Sequence, residues 1–95
     1  MAQYRTQTRI IADVLAAARD ANSAGDGVGI TTLLRKGNLS YSRLSKLVSE
    51  LVGAGLLVEM NEEQTSRYKI TQKGISFLRT CNEFQDFAQS FGLNL

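Results

Sequence analysis

The stretch from Ser40 to Gly92 constrains this chain more than any other. Ser40 can cap a helix, and Leu44, Leu47, Val48 and Leu51 follow at i, i+3, i+4 and i+7, one apolar stripe of a helix running to about Ala54. Gly55 stops it. Residues 56–60, Leu-Leu-Val-Glu-Met, then read as a strand, and the polar residues 61–66 as a hairpin tip. Residues 67–70 return with strict alternation: Tyr68 and Ile70 inward, Arg67 and Lys69 outward. Thr71 caps a last helix from about Gln72 to Phe91, with Gly92 as its C-cap.

Upstream, Thr6 caps a first helix to about Asn22, with Ile11, Val14, Leu15 and Ala18 on one face. Residues 22–29 hold Gly25, Gly27 and Gly29 and form a loop, with Asp26-Gly27 a turn signal. Ile30 follows in a short extended piece, and Thr31 caps a short second helix through Lys36. Gly37-Asn38 reads as its C-cap and turn, and Leu39 as an apolar plug. The order is helix, helix, helix, hairpin, helix. A tight turn between the second and third helices, then a hairpin, is a winged helix-turn-helix. The expected fold is therefore mainly α (α+β): three helices plus a two-stranded wing over residues 1–71, then a long C-terminal dimerisation helix, residues 72–92, packed on the same domain.

The 95 residues suffice for one domain, and 43% hydrophobic with 21% charged residues reads as globular. No apolar run reaches the roughly 20 residues of a membrane span, and residues 1–7 lack the apolar stretch of a signal peptide. One cysteine, Cys81, fits a reducing compartment. There is no histidine, so no imidazole acid–base work and no histidine metal site. No phosphate-cradling glycine motif stands between a strand and a helix, and Asp13, Asp20 and Asp26 are scattered. The expectation is a cytoplasmic, nucleoid-associated protein that is not an enzyme and takes no cofactor and no metal.

Several segments look familiar together: Thr31-Thr32-Leu33-Leu34, Asn38-Leu39-Ser40-Tyr41, the leucines 44, 47 and 51, Gly55-Leu56-Leu57, and residues 68–74, Tyr-Lys-Ile-Thr-Gln-Lys-Gly. The chain resembles a family of small archaeal winged-helix DNA-binding proteins, the ten-kilodalton type that dimerises through a C-terminal antiparallel coiled coil. The resemblance covers roughly Arg5 to Leu78. The glycine-leucine-leucine and tyrosine-to-glycine segments are common to many winged-helix regulators, and the opening of the third helix is the sharper match. It implies binding of double-stranded DNA by a transcription regulator or a chromatin-associated protein. Two departures stand out: the loop over residues 22–29 is longer than the family's turn, and the final helix is shorter.

An α-helix fits the major groove, with residues near its N-terminus at the base edges. The third helix offers Ser40, Tyr41, Ser42, Arg43, Ser45, Lys46 and Ser49 there. Arg43 suits guanine, Lys46 suits phosphate, and the small hydroxyls permit close approach. The plainer alternative is a solvated face on which Lys46 and Glu50 pair. Tyr41 either packs on a sugar or thymine methyl or covers the turn before it. Charge placement favours this face: from Thr31 to Val58, Arg35, Lys36, Arg43 and Lys46 oppose Glu50 alone, a local +3 against +2 for the chain. Lys36 is a DNA candidate, although it and Arg35 also suit the end of the second helix. Arg67 and Lys69 are candidates on the wing, whereas Glu59, Glu62 and Glu63 make an acidic tip that DNA would repel. Arg5 and Arg9 are a third candidate patch, or an ordinary solvated face.

The last helix carries Phe77, Cys81, Phe84, Ala88 and Phe91 at heptad-like spacing, with Phe87 beside them. Left exposed, the phenylalanines would make a patch that a monomer seldom keeps. The expectation is a homodimer with these six residues in the seam; the alternative is a helix folded back across the first helix of its own chain. Other readings of the chain are a winged helix used for protein contacts in a larger assembly, motivated by the acidic wing, and an effector site near Phe77 and Phe84.

Overall fold

In the computed structural model, residues 6–21, 27–62 and 65–93 are described. The first helix, α1 (Gln7–Ala21), begins where Thr6 Oγ1 accepts the Arg9 amide at 3.2 Å, the cap its sequence offers. It buries Ile10, Val14, Leu15, Ala17 and Ala18. This face is wider than the expected stripe, because α1 is covered on several sides; it packs against two other helices and a strand. Ile11 is only partly buried as a result.

A two-residue strand, β1 (Val28–Gly29), leads directly into α2 (Ile30–Gly37). Here two expectations are corrected. Ile30 is helical, and the N-cap is Gly29 rather than Thr31, with no side-chain cap bond. Strand pairing already holds Gly29 extended at the point where the helix starts, so Thr31 falls inside the first turn. At the other end Asn38 is left-handed (φ 54) and its amide bonds Leu34 O, as the Gly37-Asn38 pair suggests.

After the turn Asn38-Leu39-Ser40, α3 (Tyr41–Gly53) buries Leu44, Leu47, Val48 and Leu51. It ends with Leu56 N–H donating to Leu51 O and Gly55 N–H to Val52 O, around a left-handed Gly55 (φ 83). That is a Schellman stop, and the apolar pair it brings together, Leu51 and Leu56, is buried.

The wing strands are β2 (Leu57–Glu62) and β3 (Thr65–Ile70), antiparallel, with Leu57 opposite Ile70 and Glu59 opposite Tyr68. The sheet is three-stranded in the order β1-β3-β2. The expected two-stranded wing thus gains β1, too short to announce itself by alternation. The final helix, α4 (Gln72–Gln89), starts under a Thr71 cap whose Oγ1 accepts the Gly74 amide at 3.0 Å.

The core lies between α1, α2, α3 and the wing base. Val14, Leu15, Leu33, Leu44 and Leu57 are its most completely buried large side chains, each stabilising by about 1.5–3 kcal/mol. Gly74 sits so close to the Leu56 carbonyl and Ile70 that no side chain fits there. This approach lets α4 leave the wing and cross α1.

Candidate nucleic-acid interface

The inward stripe of α3 leaves its other face in solvent. Tyr41, Ser42, Arg43, Ser45, Lys46 and Ser49 are all exposed and successive along it. Ser40 is exposed too, but its Oγ accepts the Arg43 amide at 3.4 Å, so it closes the helix start. Lys36 is exposed in the last turn of α2 beside Arg35. Among the described residues Lys46 and Glu50 form no ion pair; the pairs present there are Arg9–Asp13 and Arg19–Asp20.

Two grooves flank the α3 ridge. One lies between the starts of α2 and α3 and strand β3, lined by Thr31, Thr32, Tyr41, Ser45, Ser66 and Arg67. The other lies toward α1, where Arg43 and Lys46 stand with Gln7, Leu39 and Glu50. Tyr41 is 62% exposed, too open to seal the turn, whose apolar plug is the partly buried Leu39. Tyr68 lies beneath; burial chiefly, then the charge of Glu59 and the Tyr41 hydroxyl, push its phenol above the ordinary value.

The wing differs from its expected layout. Lys69 is half-buried, and so is Arg67, whose Nη2 donates to Gly27 O at 2.9 Å. The plainly outward Arg67 read from alternation is corrected in direction: its guanidinium turns back over the sheet to the segment entering β1. Glu63 of the acidic tip, the side chain of Glu62, and Arg5 lie outside the described residues, as do residues 22–26 of the glycine-rich loop.

The heptad-like set on α4 divides between two faces. Cys81 and Ala88 are buried, together with Leu78, Gln85 and Gly74, against the rest of the same chain. Burial pushes the Cys81 thiol above its ordinary value. Phe77, Phe84, Phe87 and Phe91 are exposed, Phe91 most at 67%, and the Phe87 and Phe91 rings meet edge to face with centroids 5.1 Å apart. At 3.6 residues per turn the buried arc and the phenylalanine arc are centred roughly a quarter-turn apart. The single seam expected for all six residues is corrected to one docked face and one aromatic face. The alternative of a helix folded back on the first helix therefore describes one side of α4.

The winged helix-turn-helix family model matches residues 4–89. The chain belongs to this winged helix-turn-helix family. No curated protein sequence matches it significantly. Among solved structures this winged helix is similar to Sso10a-2, a DNA-binding protein from Sulfolobus solfataricus, at 24% identity over 92% of this chain and 85% of that one, TM-score 0.79. It is also similar to AF1382 from Archaeoglobus fulgidus, at 17% identity over 86% and 89% of the two chains, TM-score 0.67. The transcriptional regulator BldR from Sulfolobus solfataricus matches at 17% identity and TM-score 0.70; the match spans 87% of this chain and 59% of BldR. At these identities the likeness is one of fold.

Within the winged helix two contacts escape a reading of the sequence. Arg9 Nη1 donates to the buried Gln85 Oε1 at 3.0 Å and also faces Asp13. That places one end of the still exposed Arg9 side chain in the α1–α4 contact. The only signal was a glutamine inside an apolar helix face. The Arg67–Gly27 bond had no sequence signal at all, since it depends on β1 pairing with β3. No helix among the described residues is long and apolar enough to cross a membrane.

Proposed function

We propose that this chain binds double-stranded DNA as a homodimer and acts without catalysis, as a transcription regulator or a chromatin-type binder associated with the nucleoid. The observation that carries this is the exposed α3 face of a winged helix, where Arg43 and Lys46 stand among small hydroxyls on a ridge flanked by two grooves. A helix exposed in this way fits the major groove. Arg43 then reads a base edge, Ser42, Ser45 and Ser49 hydrogen-bond bases or phosphates, Tyr41 packs on a sugar or thymine methyl, and Lys36, Lys46 and the wing's Lys69 meet phosphates. The Ser40 hydroxyl keeps its own proton to donate to a phosphate while its oxygen caps the helix.

The aromatic face of α4 supports the dimer. Phe77, Phe84 and Phe87 of α4, with Phe91 just past its end, make an exposed aromatic face that a lone domain seldom keeps in water, and pairing two copies covers it while presenting two α3 helices about a two-fold axis. Arg43→Ala tests the readout. It should weaken binding to a selected duplex by about 1–3 kcal/mol and relax preference at one position. Unchanged affinity and unchanged preference remove Arg43 from the contact set.

A further inference from the structure

Arg67 stands in β3 directly across from Gly29 of β1. Its half-buried side chain reaches back, and Nη2 donates to the Gly27 carbonyl oxygen at 2.9 Å. Gly27 is left-handed (φ 76), and a Cβ there would lie 2.9 Å from both Met60 Cε of β2 and the Tyr68 carbonyl oxygen of β3. The segment entering β1 is thus seated flush on both wing strands, and the guanidinium fastens it.

β1 forms only two residue pairs with β3 and runs without a break into α2, which leads by a three-residue turn into α3. The connection from wing to α3 on this side of the molecule passes through β1. Two residue pairs are a weak clasp on their own.

We propose that Arg67 is a positioning residue: it clamps the segment entering β1 to the wing, fixes the wing's angle to α3, and so brings Lys69, on the same strand face, to the duplex, without itself contacting phosphate. This rests on the DNA-binding reading above.

A double-substitution cycle in the full chain tests it. Duplex binding is measured over a range of salt for wild type, Arg67→Gln, Lys69→Gln and the pair. A clamp acting through Lys69 makes the effects overlap: each single change lowers the salt slope by about one per protomer, and the pair lowers it no further. Two independent phosphate contacts would add, for a loss of about two per protomer, and overturn the proposal.

Amide exchange of the free protein supplies a readout that needs no DNA. Arg67→Gln should speed exchange over residues 27–30 about tenfold or more while leaving α3 and α4 at the wild-type rate; Lys69→Gln should leave residues 27–30 unchanged. Unchanged exchange in Arg67→Gln overturns the clamp. If the wild type binds no duplex, the DNA reading fails, and exchange alone decides whether Arg67 clamps. Arg67→Met, which removes the donors but keeps an extended stem, repeats both measurements should the glutamine variant not fold.

Discussion

Arg9 Nη1 and Gln85 Oε1 meet at 3.0 Å across 76 residues of sequence, tying the first helix to the last. Gln85 is 4% exposed and is the buried polar side chain of the α4 docking face. A buried amide needs a partner in a fixed place, so this bond helps set how α4 lies on α1.

Replacing Arg9 by methionine keeps the apolar stem and removes the donor. Because half of the Arg9 side chain is in solvent, the loss should be modest, about 1 kcal/mol. Urea denaturation should show a lower midpoint at unchanged slope. The salt dependence of duplex binding should stay at the wild-type value; a shallower slope would return Arg9 to the DNA surface.

Gly74→Ala should cost about 3 kcal/mol. The new Cβ would collide with the Leu56 carbonyl oxygen and lie 2.7 Å from Ile70 Cγ1. Leu56 O also accepts the Thr71 amide at 3.1 Å, so it cannot retreat without breaking the start of α4. A midpoint near wild type in thermal or urea denaturation would show that α4 shifts off the Leu56 carbonyl at little cost.

Phe84→Glu should separate the dimer while sparing the protomer. Phe84 is 51% exposed on its own chain, so the protomer should stay folded by circular dichroism. In the dimer two copies are lost together, each worth about 1 kcal/mol for the half still open to cover, and two carboxylates are placed in the apolar seam instead. Sedimentation should show the dissociation constant rising by about 100-fold or more. A variant that stays dimeric at the same concentrations places the interface elsewhere.

Cys81 should label slowly in the native protein. It is 9% exposed, and burial holds its thiol above the ordinary value, so little nucleophilic thiolate forms near neutral pH. The sign for stability follows from the same shift. The folded state keeps a proton that the unfolded state releases first, so this group's contribution declines as pH rises past the unfolded thiol's range. Iodoacetamide should react fast in denaturant and slowly without it; equal rates would mean that α4 detaches readily.

The parts legible in the sequence are those decided within a few residues. Thr6, Ser40 and Thr71 each accept an amide three residues on, and Asn38 and Gly55 take the left-handed turns their residue types favour. The exposed face of α3 follows from its buried stripe by helical spacing alone. What stayed hidden depends on partners far along the chain. β1 is two residues long and exists because β3 lies beside it. The same pairing makes Gly29 a helix cap in place of Thr31 and turns Arg67 toward Gly27. On α4 the spacing of Phe77, Cys81, Phe84, Ala88 and Phe91 marks an apolar helix, but which part of it α1 covers is settled by tertiary packing, with Arg9 and Gln85 at the contact.

The most direct test is the affinity of the wild-type chain for a random duplex over a series of salt concentrations, with the oligomeric state measured on the same sample. Phosphate contacts by Lys36, Lys46 and Lys69 predict a logarithmic salt slope of about −3 for one engaged protomer and about −5 for a dimer with both engaged. Binding that weakens along such a slope is the predicted result. A well-folded dimer that binds no duplex at low salt would contradict the account and point to a winged helix that contacts proteins.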